Sequence, residues 1–204
     1  MEKPKEIKEN IKKLLFVEGN DEVNFFKKMF RDELDITGIQ IYPTGGKDQF
    51  KEYLPIIVKQ RNFDAIKRIG IVQDSDENTK ARFDSICHHL KKNGICPPSK
   101  LSTFTKNFPS TGIFLLPNNS DNGMLETLCL QSVSDDEKFD CIDNFFKCLN
   151  DLDVDIRNYH KAKAQVFLAT QKKLIQHVGI GAQKNVWDFE AECMEALKNF
   201  LLEI

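Results

Sequence analysis

The chain has 204 residues, 29 of them basic and 31 acidic, for a formal net charge of −2 at pH 7. A balance this even gives no whole-protein attraction for nucleic acid, so any such binding must come from a local basic patch. The length and the 41% of hydrophobic residues, with 16 Phe among the aromatics, suffice for one sizeable core. No apolar run reaches the roughly 18 residues that a membrane span needs.

In chain order, residues 12–18 are the first strand, a continuous apolar run of the kind buried on both faces of a sheet. The run stops at Glu18-Gly19-Asn20-Asp21. Asp21 falls where a helix N-cap belongs, and Val23, Phe25, Phe26, Met29 and Phe30 give the following helix its apolar face. Gly38–Tyr42 is a second short strand, ending in Pro43-Thr44-Gly45-Gly46-Lys47-Asp48, with a helix after it over Phe50–Val58.

Residues 67–73 form the third strand, which ends at Asp74-Ser75-Asp76. A helix over 79–92 stops at Asn93-Gly94. The Pro- and Thr-rich segment 96–111 reads as an insertion or a hairpin. Gly112–Pro117 is the fourth strand, and its loop to Gly123 leads into a helix starting near Met124-Leu125-Glu126. Strands alternating with helices imply a mostly parallel sheet with helices on its faces. The remainder is helical, about 135–150, 160–177 and 186–202. These elements divide the chain into an α/β core over 1–132 and a helical C-terminal extension over 133–204, packed together as one compact unit. Trp187 reads chiefly as a core anchor, with a stacking platform for a base as the alternative.

Two acidic clusters, each at the end of an apolar run, carry most of the chemistry. Strand ends in an open parallel sheet are where ligands bind, and grouped carboxylates there suit a hard divalent cation. Asp74 and Asp76, two apart on an extended strand, point the same way about 6–7 Å apart. Each raises the other's pKa unless a cation relieves the repulsion. The alternative is that Asp76 caps the next helix and Asp74 is solvated. Glu18, at the end of a buried strand, is costly unless paired with a lysine or bound to metal, and Gly19 permits a tight turn or a ligand's close approach. Glu126, in the first turn of its helix, is favoured there by the macrodipole alone and is also a possible further site acid.

Thr44-Gly45-Gly46-Lys47 has the look of a phosphate-cradling turn, with an ordinary glycine turn as the equal alternative. No G-x-x-x-x-G-K-[S/T] occurs, which excludes a P-loop ATPase. Lysines cluster at Lys3/Lys5/Lys8/Lys12/Lys13, at Lys91/Lys92 and at Lys161/Lys163/Lys172/Lys173, each reading as solvated surface. The six cysteines, Cys87, Cys96, Cys129, Cys141, Cys148 and Cys193, form no C-x-x-C pair or Cys/His cluster, so zinc is not expected. With no signal peptide they read as reduced thiols of a cytoplasmic protein.

Glu at the end of the first strand in a Val-Glu-Gly context, followed by Asp-x-Asp at the end of a later strand, resembles the Toprim domain. Topoisomerases, bacterial primases and OLD-family nucleases share that domain, and the resemblance covers Leu15 to Leu128. Leu116-Pro117…Gly123-Met124-Leu125-Glu126 and Gly179-Ile180-Gly181-Ala182…Trp187-Asp188 are similar to small stand-alone OLD-like Toprim proteins labelled DUF3226. The resemblance implies a Rossmann-like α/β fold with Mg²⁺ or Mn²⁺ on Glu18, Asp74 and Asp76. It gives Glu18 an acid/base or ligand role, and Asp21 and Glu126 a part in a second metal position. Gly19, Gly45, Gly46 and Lys47 are then candidate phosphate contacts. The expected function is metal-dependent cleavage or transfer of phosphodiesters in nucleic acid, alone or with a protein partner. The alternative is a non-catalytic module that binds nucleic acid or nucleotide. The ATPase of OLD proteins, the tyrosine domain of topoisomerases and the zinc region of primases are not recognisable. A haloacid-dehalogenase phosphatase is rejected because its D-x-D ends the first strand, whereas here the pair ends the third.

Overall fold

Four parallel strands in the order β2-β1-β3-β4 form the centre of the computed structural model, which describes residues 4–46 and 49–204. They are β1 (Lys13–Val17), β2 (Ile39–Pro43), β3 (Arg68–Asp74) and β4 (Ser110–Leu116). β1, β3 and β4 have the continuous burial of strands covered on both sides, every residue of β3 after Arg68 being buried, whereas the edge strand β2 is mostly half-buried. Alternation assigns the faces. Leu15, Val17, Val72, Phe114 and Leu116 point to one core cluster, and Leu14, Phe16, Ile69, Ile71, Ile113 and Leu115 to the other.

Eight α-helices among the described residues cover these faces: α1 (Asn20–Lys28), α2 (Phe50–Ile57), α3 (Thr79–Lys92), α4 (Leu125–Ser132), α5 (Lys138–Asp151), α6 (Tyr159–Ala169), α7 (Val178–Gln183) and α8 (Glu195–Leu202). Buried residues of α2 and α3, among them Leu54, Ile57, Ile86 and Leu90, pack on the second face. The first face carries α1, α4 and the helices after residue 133: Phe25, Leu128, Phe167, Trp187, Leu197 and Phe200 belong to one cluster with its strand residues. The result is a Rossmann-like α/β fold.

Several expectations shift in detail. Trp187 is 2% exposed, and its ring stacks on Phe167 with Nε1 donating to the Val178 carbonyl at 2.9 Å. It anchors the core and offers no face to a base. The segment expected as one helix over 160–177 is helical only as far as Ala169, the end of α6, and α7 begins beyond it at Val178. The last helical stretch is confined to the 3₁₀ turn Glu192–Met194 and α8. Segment 96–109 contains no strand. It instead runs along the outer edge of β4, where Ser102 N–H donates to Ile113 O and Thr105 N–H to Thr111 O. This supplies the partners that an edge strand otherwise lacks.

The strand order sets where the site lies. From β1 the chain goes outward to β2 and then crosses back to β3 on the other side of β1. The reversal falls between β1 and β3, and loops diverging from such a point leave a crevice at the strands' carboxyl ends. β1 gives way to Glu18 there, and β3 ends at Asp74.

Candidate functional site

Glu18 follows the last residue of β1, and Asp74 is the last residue of β3. The Asp74 N–H donates to Glu18 Oε1 at 3.2 Å, so one hydrogen bond closes the reversal point. Glu18 Oε1 also accepts from Arg82 Nη2 at 2.9 Å, from the first turns of α3. Asp74 is buried, and its Oδ1 accepts from the Leu125 N–H at 3.0 Å, which seats the carboxylate on the first turn of α4. A helix N-terminus favours negative charge there.

Around this pair lies a depression of about 530 Å³ lined by five carboxylate side chains: Glu18, Asp21, Glu22, Asp74 and Glu126. Lys161 and His177 also line it. Lys161 Nζ is 3.9 Å from Glu126 Oε1, and His177 Nδ1 is 3.8 Å from Asp21 Oδ2. Negative charge exceeds positive, and the acids' ionisation shows it. Burial, then the charges of Glu18, Glu22 and Glu126, push Asp74 well above the ordinary carboxylate range. Burial raises Glu18, offset by the charge and hydrogen bond of Arg82. Burial also raises Glu22 and Glu126, with help from neighbouring acids in each case, and Lys161 opposes the shift of Glu126.

The sequence-predicted residues divide. Glu18, Asp21, Asp74 and Glu126 come together in this pocket, but Asp76 does not line it. The strand ends at Asp74, and Asp76 sits in the left-handed region at φ 52° with its N–H donating to Gly123 O at 3.0 Å. The extended spacing that would aim both aspartates one way therefore stops one residue too soon, and Asp76 lines an adjoining depression. It does not cap α3, whose cap is Asn78, accepting from Ala81 N–H at 2.9 Å. Asp21 is likewise in the first turn of α1 and not its cap. Its Oδ1 accepts from Gly179 N–H at 3.3 Å, which ties α1 to α7.

The glycine turns are engaged internally. Gly45 and Gly46 N–H both donate to the Glu18 carbonyl, at 2.8 and 2.9 Å, and Gly19 N–H donates to Glu22 Oε2 at 2.8 Å. As folded, these amides hold the end of β1 in place and are not presented to a phosphate. Lys47 lies outside the described residues, as does Lys3.

Three residues of the site, Glu22, Arg82 and His177, escaped the sequence reading. Glu22 was hidden as the fourth residue of a capping motif, reaching back to Gly19; the S/T-x-x-E spacing signals such a residue only when a hydroxyl side chain begins it. Arg82 sits within a helix, and only the fold brings it to Glu18.

The pocket's five carboxylates fit a hard divalent cation in donor chemistry. Among the described residues no three His, Cys, Asp or Glu side chains converge into a ready-made cage. Mg²⁺ does not require one, since it binds through one or two carboxylates and keeps several waters.

The family model for proteins of unknown function designated DUF3226 matches residues 12–204. The chain belongs to the DUF3226 family. The match runs from the start of β1 to the C-terminus, so the DUF3226 region takes in both strand-end acids together with Lys161, His177 and α7, which wall the pocket. No curated protein and no solved structure matches the chain.

Proposed function

We propose that this DUF3226 protein is a Toprim-like, metal-dependent enzyme that cleaves or transfers phosphodiesters of nucleic acid, with Mg²⁺ or Mn²⁺ held by Glu18 and Asp74. The observation that carries the reading is the meeting of two buried-strand carboxylates at the sheet's reversal point, in a pocket with more acids than cations. A folded protein keeps such an excess of desolvated like charge at a cost, and a bound cation removes it.

When bound, the metal would polarise a phosphoryl oxygen and stabilise charge developing there. Glu18 and Asp74 would be its direct ligands, with Glu126 and Asp21 on the facing wall for a second ion or for bound water. Arg82 holds Glu18 in place and stands in for part of the missing positive charge. Lys161, across the pocket on α6, is positioned to neutralise a non-bridging phosphate oxygen. Glu22, whose carboxyl burial raises above the ordinary carboxylate range, is the candidate proton carrier. Asp76, outside the pocket, has an outer role at most.

A plasmid-nicking assay with Mn²⁺ or Mg²⁺ tests this. Wild type nicks supercoiled DNA or cleaves RNA, and Glu18→Ala and Asp74→Ala lower the rate by at least ~100-fold while circular dichroism stays native. A wild type inactive on DNA and RNA with both metals overturns the catalytic reading. Nucleic-acid binding without turnover would then favour the non-catalytic module.

A further inference from the structure

Beside the acid pocket lies a second depression, of about 650 Å³, that the proposed chemistry does not use. One wall is the turn after β3 and the start of α3, with Asp76, Asn78 and Arg82. The loop before α4 supplies Asn122, and the approach to α6 supplies Arg157, Tyr159 and His160. The walls of the two depressions adjoin at two points. Arg82 lines the second while its guanidinium bonds Glu18 of the first, and His160 of the second precedes Lys161 of the first.

Their charge differs in a way that matters for a polyanion. The acid pocket sets five carboxylates against one lysine and one histidine. The second depression sets Asp76 and Glu77 against Arg82 and Arg157, with His160 beside them. A nucleic-acid strand has further phosphates on either side of the one that reacts. The acids repel those flanking phosphates, whereas in the second depression acids do not outnumber arginines, and Arg157 is the arginine there that is not bonded to Glu18.

Tyr159 adds a recognition element. Its ring makes T-shaped contacts with Phe146 at 4.9 Å and His160 at 5.9 Å, and Lys163 Nζ lies 5.8 Å from its centroid, yet the residue is 43% exposed. A ring fixed by neighbours with part of its surface left open is a platform for stacking a base, and stacking requires an unpaired base. The amide side chains of Asn78, Asn122 and Asn158 complete the lining with groups able to donate and accept. The volume lies in the roughly 300–1,000 Å³ range of small-ligand pockets, room for a nucleotide or two and not for a duplex.

We propose that this depression holds the segment of single-stranded nucleic acid flanking the reacting phosphodiester, with Arg157 and His160 on its phosphates and Tyr159 under a base. The proposal rests on the acid pocket being a phosphodiester site, and names the substrate form that the pocket receives.

The test is equilibrium binding in EDTA, where no metal-dependent turnover occurs, read as fluorescence anisotropy of a labelled short oligothymidylate. An oligouridylate and a duplex of the same length are run alongside. Arg157→Glu reverses one charge of the groove wall. Tyr159→Leu removes the ring while keeping an apolar contact for Phe146. Wild type binds one or both single strands more tightly than the duplex, and the tighter of the two tells DNA from RNA. Arg157→Glu weakens binding about tenfold or more and lowers the slope of log K against log salt by about 0.7 for each phosphate no longer neutralised. Tyr159→Leu weakens it roughly fivefold or more. Thermal melts confirm that both variants fold. No binding of any single strand, unchanged affinity in both variants, or a duplex bound as tightly as the single strand overturns the proposal. None of these outcomes touches the metal-dependent assay on Glu18 and Asp74, so the groove can fail while the acid pocket stands, and the reverse.

Discussion

The acid pocket and the groove beside it open on the same edge of one sheet, yet they are built in opposite ways. The pocket is made from strand ends. Glu18 and Asp74 terminate buried strands, Glu126 sits in the first turn of α4, and their carboxylates are desolvated and raised in pKa. The groove is made from loops and helix starts, and Arg157, Tyr159 and His160 on one wall are exposed. Rigid, strained electrostatics belong to the first, adaptable and solvated contacts to the second. That is the division expected between a centre for chemistry and a surface for holding substrate, since fixed charges act most strongly where water is excluded. Arg82 belongs to both regions.

The comparison breaks most visibly at Arg82. In Arg82→Ala the Glu18 carboxylate keeps its burial and loses its nearest cation, so the metal-free protein should lose up to about 3 kcal/mol. Urea unfolding measures this, and saturating Mg²⁺ should recover part of the loss in the variant. A loss below about 0.5 kcal/mol, unaffected by Mg²⁺, would mean that Glu18 is far less desolvated than its position implies.

A smaller effect, about 1–3 kcal/mol, is expected at the pocket's far wall. A Cβ on Gly179 would lie 2.3 Å from the Asp21 carbonyl oxygen and 2.9 Å from Asn24 Cβ. Gly179→Ala must therefore push α7 away from α1. The same shift moves His177 and Ile180, so divalent-cation affinity should fall with stability. Neither residue that this Cβ would meet lines the groove, so oligonucleotide binding in EDTA should survive Gly179→Ala.

The smallest expected effect is in pH dependence, and its sign is fixed by the direction of the shifts. Asp74, Glu18, Glu22 and Glu126 all have folded pKa values above their ordinary ones. Their contribution to stability is fully present below the ordinary carboxylate pKa, and is lost as pH rises through the raised values. With metal removed, the pocket should make the protein less stable near neutrality than at about pH 5. Asp74→Asn should flatten this difference, and Mg²⁺ should reverse it in wild type alone. Melting temperatures across that range, with and without EDTA, check both statements.

Much of this arrangement is legible in the sequence, for physical reasons. Apolar runs that stop at a carboxylate mark strands buried on both faces, so β1 and β3 and their terminal acids stand out. What the sequence hides is what depends on the backbone beyond the strand or on contacts distant in the chain. The D-x-D spacing predicts parallel side chains only while the chain stays extended. At Asp76 the backbone turns left-handed, which sends the second aspartate to the groove. Arg82, Lys161 and His177 lie 64, 35 and 156 residues from the acids Glu18, Glu126 and Asp21 that they approach, and no local pattern reports such pairings. The glycine turn at 45–46 has a phosphate-loop look because N–H groups converge there, but the acceptor they converge on is the protein's own Glu18 carbonyl.

The central claim is that the strand-end acids bind a divalent cation. Mn²⁺ titration at neutral pH, with free ion followed by electron paramagnetic resonance, tests it on wild type and on Asp74→Asn, a change that removes one charge with little change of shape. Saturable binding to wild type, weakened at least about tenfold in Asp74→Asn, is the expected result. Mn²⁺ uptake that is unsaturable, or identical in the two proteins, would contradict it.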